Sequence, residues 1–195
     1  MEILDLGCGT NKVENAIGMD NVLLPTVDIV HDLLDFPYPI EEHSIDIIYL
    51  RHVIEHFNNN NVNLIMNECQ RIIKENGNLI ITVPHVFSIS AFTDVTHKSF
   101  YTFGSGNYWD KNHSKSYYKD FNSQWILTNT QSKVTWFDWK KYRLKPIDKF
   151  ISSIMKRKIE KALLNSSNPS LADRIVKRFS FQFIEIKWTY KKESI

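Results

Sequence analysis

The stretch that decides the fold lies at the start of the chain, where residues 2–9 read EILDLGCG. Its apolar first half predicts a short buried strand, and the glycines that follow predict a tight turn. Glycine adopts positive φ readily and, because it lacks a Cβ, lets the backbone approach a ligand closely. We therefore expect Gly7 and Gly9 to form a ligand-binding loop directly after the first strand.

Acidic residues follow the next two predicted strands. Residues 16–20 (AIGMD) end in Asp20, and residues 27–30 are followed closely by Asp32. In open α/β sheets, ligands bind beyond the carboxyl ends of the strands. A carboxylate at Asp20 can accept hydrogen bonds from both hydroxyls of a ribose. One at Asp32 can accept from an exocyclic amine, while the backbone N–H of Leu33 reaches the edge of the base. The sequence therefore indicates a nucleoside site.

The rest of the chain alternates short apolar strands with helical or loop segments. This pattern is typical of an open, mostly parallel α/β sheet. The chain has 195 residues, which predicts a single domain (1–195). Further strands are predicted over residues 44–50, 78–83 and 181–190, with a strand or hairpin over 125–137. Helices are predicted over 62–74, 148–164 and 171–179, and Asn76-Gly77 is expected to cap the first of them.

Five motifs within residues 2–84 resemble those of the class I S-adenosylmethionine-dependent methyltransferases. They are LDLGCG, IGMD, VHDLLDFPYP, SIDIIYLRHVIEHF and ECQRIIKENGNLIITVP. The resemblance implies a Rossmann-like, open seven-stranded sheet in the order 3-2-1-4-5-7-6, with the last strand antiparallel and helices on both faces. It also implies S-adenosyl-L-methionine as cofactor. The cofactor contacts that it implies are Asp5, Gly7, Cys8, Gly9, Asp20, Asn21, Asp32, Leu33, Arg51 and His52. It further implies that Asp5 orders the glycine loop and approaches the methionine amino group of the cofactor.

Within that family, the chain is similar to a methyltransferase type 11-like subgroup that is often associated with glycan and cell-envelope biosynthesis. The shared features are the pair Glu55-His56, the sequence VPH at residues 83–85 and the pattern D-x-T-H from Asp94 to His97. The resemblance implies a cofactor-binding half (1–84), a region of substrate-side loops and a helical insertion (85–180), and a final strand (181–190). A sugar or glycan precursor is the leading class of acceptor.

The resemblance has two departures. The chain starts directly on the first strand, so we expect the helices that usually precede it and cover the cofactor to be missing. The link from Gly9 to Asp20 is too short for a full crossover helix, so a loop or 3₁₀ turn is expected there. A dinucleotide site is not favoured, because Lys12 stands where a G-x-G-x-x-G fingerprint has its third glycine.

Histidines are the candidate catalytic residues. Methyl transfer from a sulfonium releases a neutral thioether, so much of the rate comes from positioning. A hydroxyl acceptor must also lose a proton, and the ordinary pKa of histidine suits a general base. We favour His97 as the base, oriented by Asp94, with His56 as a further catalytic candidate. The alternatives are that Asp94 and His97 stabilise their loop and that Glu55 and His56 form a structural pair.

We predict no metal site. His52 and His56 are four residues apart and, with His85, raise the question of a metal. Such a pair is weak support, however. Cys8 is expected to be a packing residue of the turn, and neither Cys8 nor Cys69 has metal-ligand spacing.

The charge is unevenly spread. The chain has a net charge of +2, but residues 140–178 contain 12 Lys and Arg against three Asp and Glu. This basic segment either contacts a membrane surface or phosphorylated substrate peripherally, or forms a solvated helical face. Aromatic residues likewise either form a substrate wall or fill the core. They are Tyr101, Tyr108, Trp109, Tyr117 and Tyr118.

The sequence analysis therefore favours an enzyme that moves a methyl group to oxygen or nitrogen of a small molecule. The alternatives are an RNA or protein methyltransferase, or a cofactor-binding scaffold without activity. We do not expect nucleic acid as partner, because no RNA-binding module is recognisable. The chain lacks a signal peptide and a transmembrane-length apolar run, so we expect a cytoplasmic monomer or homodimer.

Overall fold

The computed structural model describes residues 1–113, 123–135 and 183–194. Seven strands form one sheet in the order β3-β2-β1-β4-β5-β7-β6. In chain order they are β1 (Ile3–Leu6), β2 (Ile17–Asp20), β3 (Ile29–Val30), β4 (Ile45–Arg51), β5 (Ile73–Pro84), β6 (Trp125–Thr135) and β7 (Phe183–Lys192). The helices are α1 (Asn59–Ile72) and the single turn α2 (Ser90–Thr93), with 3₁₀ turns at Ile54–His56 and Phe103–Tyr108.

The strand directions are those of a mostly parallel sheet. Strands β1 to β5 pair in parallel, and β7 runs antiparallel to its neighbours β5 and β6. The predicted Rossmann-like sheet, with the order 3-2-1-4-5-7-6 and an antiparallel last strand, is therefore confirmed. Because the carboxyl ends of β1 to β5 lie at one edge of the sheet, the loops that follow these strands are brought together there.

The link from β1 to β2 contains no helix, as its length predicted. Residues 7–16 form turns and bends. The backbone N–H groups of Gly7 and Cys8 donate to the carbonyl oxygen of Met19, at 2.8 and 3.3 Å. The turn after β1 is thus tied directly to the end of β2, and its position depends on the sheet.

Helix α1 ends earlier than the sequence predicted. The expected C-terminal cap at Asn76-Gly77 is wrong, because Ile73 already pairs with Ile45 of β4. The register between β4 and β5 is irregular just beyond that pair, and Asn76 has a φ of 63° within this irregularity. Burial of Ile73 in the core therefore ends the helix before the turn residues are reached.

The amphipathic pattern of α1 places one face of the helix in the core. Its buried apolar residues belong to the same hydrophobic cluster as the buried side chains of β1, β4 and β5. Side chains alternate along β4, so that Ile48 and Leu50 are fully buried while Tyr49 and Arg51 are half-buried. The buried apolar residues of α1 are Val62, Ile65, Met66, Cys69 and Ile72.

Aromatic residues extend this core under β7. Tyr101 packs edge-on against Trp188 with ring centroids 5.7 Å apart, and Trp109 lies 6.1 Å from the same ring. Tyr101 and Trp109 are each 4% exposed, so for them the core interpretation is correct and the substrate wall is wrong. Tyr108 is 37% exposed.

Arg71, near the end of α1, ties the helix to the segment that follows β3. Its guanidinium lies 2.5 Å from Glu68 and donates to the carbonyl oxygens of Tyr38 (3.2 Å) and Ile40 (3.1 Å). Glu68 in turn accepts the backbone N–H of Tyr38 at 2.7 Å. This network therefore fixes the segment around Tyr38 against α1.

Several predictions concern residues outside those that the structure describes. They are the helices over 148–164 and 171–179, the basic segment 140–178, Tyr117 and Tyr118. The final strand begins and ends two residues later than predicted, as a comparison of 181–190 with Phe183–Lys192 shows. Among the described helices, none has both the length and the apolar character needed to cross a bilayer.

Candidate cofactor and acceptor site

The glycine loop after β1 adopts the left-handed backbone that its sequence predicted. Gly7 has a φ of 65° and Gly9 a φ of 53°. A Cβ on Gly7 would also lie 2.5 Å from the Cγ2 atom of Val53, so this position has no room for a side chain. The loop therefore needs glycine at residue 7 for two reasons, its backbone conformation and its close contact with the turn after β4.

Asp20, at the end of β2, connects this loop to the next one. One carboxylate oxygen accepts the backbone N–H of Gly9 at 2.9 Å, and the other accepts that of Val22 at 3.1 Å. Each oxygen has two lone pairs, so each retains one acceptor position after these bonds. The carboxylate is thus held in place by the backbone while it keeps the capacity to accept two hydroxyl groups.

A cavity of about 270 Å³ opens at the carboxyl ends of the strands. It brings together six of the ten predicted cofactor contacts: Gly7, Asp20, Asn21, Asp32, Leu33 and His52. Three further lining residues, Val53, His56 and Phe57, were not predicted as cofactor contacts. Their position directly after β4 could have predicted that they line the cavity, because the loops that follow neighbouring parallel strands meet at this edge of the sheet.

Asp5, Cys8, Gly9 and Arg51 are the predicted contacts that do not line this cavity. The fully buried carboxylate of Asp5 accepts the backbone N–H of Val13 at 2.8 Å and lies 2.6 Å from the Arg51 guanidinium. Asp5 and Arg51 thus hold the turn between β1 and β2, in agreement with the ordering role predicted for Asp5. The predicted contact of Asp5 with the methionine amino group of the cofactor stays a prediction. Cys8 is buried, and burial raises the pKa of its thiol.

His52 is a cation at the border of the cavity. Its φ is 56°, and its two ring nitrogens lie 3.4 Å from Glu185 and 3.3 Å from Glu55. The carboxylates of Glu185 and Glu55 raise the pKa of His52 to about 9. The ring is therefore protonated at neutral pH and cannot serve as a general base there. It also lines a second cavity, of about 460 Å³, together with Arg51 and Lys187.

The predicted orientation of His97 by Asp94 is wrong. The Nδ1 atom of His97 lies 2.9 Å from the carbonyl oxygen of Ala91, so the ring donates to the backbone. Asp94 instead accepts the N–H and the hydroxyl of Thr96, at 2.8 and 2.6 Å. Hydrogen bonds from Thr96 lower the pKa of Asp94. The Thr96 bonds satisfy Asp94 locally, as is common for an aspartate two residues before its partner.

Asp94 acts on His56 through the hydroxyl of Thr96. That oxygen lies 2.8 Å from Nδ1 of His56 and gives its own proton to Asp94, so His56 must donate to it. The rings of His56 and His97 are 4.8 Å apart at an angle of 73°. Both histidines therefore carry a proton on Nδ1, so Nε2 is the acceptor atom of the neutral ring.

His85 is fully buried, and its ring packs 4.8 Å from that of Phe103. Its Nδ1 accepts the backbone N–H of Phe87 at 3.1 Å. His85 therefore packs in the core and stabilises the segment that follows β5.

Comparison with known proteins gives one family match and a set of solved structures with a similar fold. Residues 14–81 match a family model described as a methyltransferase domain. No curated protein matches the chain. Among solved structures, 241 chains are similar to it.

A SAM-dependent methyltransferase from Archaeoglobus fulgidus is 17% identical, with a TM-score of 0.51 over 98% of this chain and 86% of that one. A putative methyltransferase from Bacillus halodurans is 15% identical, with a TM-score of 0.50 over 99% and 93% of the two chains. A phospholethanolamine N-methyltransferase 2 from Haemonchus contortus, in complex with S-adenosylhomocysteine, is 16% identical, with a TM-score of 0.51 over 100% and 49%. Identities this low establish a shared fold.

Residues 14–81 match a methyltransferase-domain model and the sheet has the strand order expected for one, so S-adenosylmethionine is the cofactor to compare with the cavity. The donor set fits the cofactor, because Asp20 keeps two free acceptor positions in the cavity for a ribose.

Proposed function

We propose that the protein is an S-adenosylmethionine-dependent methyltransferase that transfers the methyl group to oxygen or nitrogen of a small molecule, with a sugar or glycan precursor as the leading class of acceptor. The observation that carries the proposal is the cavity of about 270 Å³ in which Gly7, Asp20 and Asp32 meet His56. Nucleoside-binding groups and a histidine with a free acceptor nitrogen thus share one space. That arrangement is what methyl transfer to a group that must lose a proton requires.

The cofactor side is formed by the loops after β1, β2 and β3. Asp20 accepts the two ribose hydroxyls, with Asn21 beside it, and Asp32 and the backbone of Leu33 receive the adenine. Gly7 lets the backbone lie against the cofactor. Asp5, Cys8, Gly9 and Arg51 stabilise the turn between β1 and β2 through their hydrogen bonds. When bound, the cofactor supplies an electrophilic methyl group on a sulfonium.

The acceptor side is formed by the loops after β4 and β5. Nε2 of His97 accepts the acceptor's proton, while the carbonyl oxygen of Ala91 holds its Nδ1–H in place. His56 borders the cavity directly, and Asp94 orients it through Thr96. Asp94 is thus a positioning residue for His56, whereas His97 and His56 are the candidate catalytic residues. The protonated ring of His52 favours an acceptor with an anionic group nearby.

The location and partners of the enzyme belong to the same proposal. Cys8 and Cys69 are both buried free thiols, which agrees with a reducing, cytoplasmic setting. We propose a monomer or homodimer that acts on small molecules without nucleic acid. A peripheral membrane contact through residues 140–178 would bring a lipid-linked acceptor to the site.

The proposal is tested by cofactor binding and by transfer of a labelled methyl group. In isothermal titration, Asp20→Ala should weaken S-adenosylmethionine binding by about 1–3 kcal/mol, because the ribose hydroxyls lose their acceptor. Asp35→Ala is the matched control, because this exposed carboxylate lies three residues after Asp32 and does not line the cavity. Unchanged affinity in Asp20→Ala would place the ribose elsewhere.

The acceptor class is then read from extract fractions incubated with methyl-labelled cofactor. Label in small, hydrophilic, glycan-type products supports the proposal. Label in RNA or protein would replace it by the corresponding methyltransferase. Cofactor binding without label in any fraction would indicate a binding scaffold.

A further inference from the structure

Three side chains of the described residues meet beside the cofactor cavity, although they are far apart in the sequence. Glu55 and His56 belong to the 3₁₀ turn after β4, and His97 to the region after β5. One carboxylate oxygen of Glu55 and one ring nitrogen from each histidine all lie within 4.8 Å of one another. We propose that Glu55, His56 and His97 form a binding site for a divalent transition-metal ion, with Zn²⁺ as the best match.

The hydrogen bonds of the two histidines are those of metal ligands. A ligating histidine almost always donates its other ring N–H to a carboxylate, a carbonyl or a water, which fixes the tautomer and the direction of the ring. Nδ1 of His97 donates to the carbonyl oxygen of Ala91, and Nδ1 of His56 donates to Thr96, which is bonded to Asp94. Both Nε2 atoms are thus prepared as lone-pair donors.

Glu55 supplies an independent observation. Its side chain is fully buried, and neither carboxylate oxygen accepts a hydrogen bond from the described part of the chain. One oxygen lies 3.3 Å from Nδ1 of His52, a distance that fits an ion pair but without the alignment of a hydrogen bond. A buried carboxylate is costly without strong partners. The ion pair with His52 leaves both oxygens of Glu55 without a hydrogen bond from the described residues, and a metal ion bound there would offset the remaining cost.

The ligand types indicate the kind of metal. Two imidazoles and one carboxylate bind Zn²⁺ in hydrolytic enzymes and Fe²⁺ in oxygenases, and in both cases other coordination positions stay open. Metal–ligand bonds of about 2.0–2.2 Å would bring the ligand atoms to about 3.4 Å from one another, so the three groups must converge by up to about 1.4 Å. His56 and His97 are only partly buried, which leaves their rings room for this movement.

The charges around the site set its affinity. Asp94 adds negative charge behind His56, whereas the ring of His52 lies 3.3 Å from Glu55 and competes with a metal for its carboxylate. Metal binding therefore requires His52 to turn away. His56 also lines the cofactor cavity, so an open coordination position can face the acceptor.

The metal site has a consequence for the proposed chemistry. A nitrogen that ligates a metal cannot take a proton, so the base role of His97 belongs to the metal-free protein. In the loaded protein, the ion would ligate an acceptor hydroxyl and lower its pKa, so that the hydroxyl would lose its proton to solvent water instead. The binding itself does not depend on methyl transfer and is measured without cofactor or acceptor.

The test is a titration of the chelator-treated full-length protein with Co²⁺, followed by visible absorption. We expect saturation at one ion per chain and displacement by Zn²⁺. Glu55→Gln and His97→Gln should each weaken binding at least about 100-fold, and Thr96→Val about 10–100-fold through the loss of ring orientation. His43→Gln is the matched control, because it removes a histidine near the amino end of β4 and should leave the affinity unchanged.

Circular dichroism verifies that each variant is folded. If Glu55→Gln fails to fold because its side chain is buried, the partly exposed His97 and the exposed Thr96 carry the comparison. The absence of saturable Co²⁺ absorption in the wild type would overturn the proposal, and so would wild-type affinity in folded His97→Gln. If the wild-type protein binds Co²⁺ but transfers no methyl group, that result would count against the proposed function and leave the metal site standing.

Discussion

Gly7 and Gly9 share a positive φ but have different surroundings. A Cβ at residue 7 would press against Val53, whereas none of the described atoms lies within 4 Å of a Cβ at residue 9. Gly9→Ala should therefore lower the free energy of unfolding by about 1–2 kcal/mol, the cost of the left-handed backbone alone. Gly7→Ala should cost about 2–5 kcal/mol, because overpacking is added. Urea unfolding without cofactor measures the loss of unfolding free energy in both variants. Equal losses would show that the Val53 side chain moves aside at no cost.

His97 gives the residue-scale prediction for catalysis. His97→Gln removes the proposed base but leaves the groups that line the cofactor cavity in place. Turnover on a hydroxyl acceptor should fall about 10²–10⁴-fold, the usual contribution of a positioned base. Asp35→Ala serves as the control here too. The affinity for S-adenosylmethionine, from titration, should stay within about twofold. A fully active variant would exclude His97 as the base.

At this scale, the sequence predicted positions better than partners. Asp20 and Asp32 could be found because each follows a predicted strand, and parallel strands bring such ends together. The partner of His97 could not, because it is the backbone carbonyl of Ala91, and any residue type carries one. The meeting of Glu55 with His97 could not be found either, since it depends on how the loop after β5 folds back on the turn after β4.

At the scale of elements, Arg71 shows how a helix positions a loop. It joins α1 to the carbonyl oxygens of Tyr38 and Ile40, in the segment that follows Asp32 and Leu33. Arg71→Ala should lower the free energy of unfolding by roughly 2–4 kcal/mol, because Glu68 is left nearly buried without its cation. Arg71→Lys keeps the charge but loses the forked hydrogen bonds, so its free energy of unfolding should lie between those of the wild type and Arg71→Ala. A loss below half a kcal/mol in Arg71→Ala would show that solvent satisfies Glu68.

The ends of elements were the least predictable part of the fold. The existence and type of the elements were predicted correctly where the apolar pattern was long, as in α1 and β4, but the bounds of these two differ from the predicted ones by one to three residues. The end of α1 was missed because Asn76-Gly77 is a good helix stop, yet the pairing of Ile73 with Ile45 acts first. Local sequence signals thus yielded to a contact between segments that are distant along the chain.

At the scale of the whole molecule, the cofactor should act as a structural ligand. The cavity joins the loops after β1, β2, β3 and β4, so a molecule bound there links four strands of one sheet. At a concentration 100 times its dissociation constant, S-adenosylmethionine should stabilise the fold by about 2.7 kcal/mol. For a domain of this size, each kcal/mol raises Tm by about 2–4 °C, so we expect a rise of roughly 5–11 °C.

The same measurement on two variants separates a specific ligand from a general stabiliser. At an unchanged cofactor concentration, Asp20→Ala should lose much of the rise in Tm, because its dissociation constant is about 5–150-fold higher for a loss of 1–3 kcal/mol. Asp35→Ala should keep the full rise, since its exposed side chain does not line the cavity. Equal rises in Tm for both variants would mean that the stabilisation by S-adenosylmethionine does not depend on a ribose bound to Asp20.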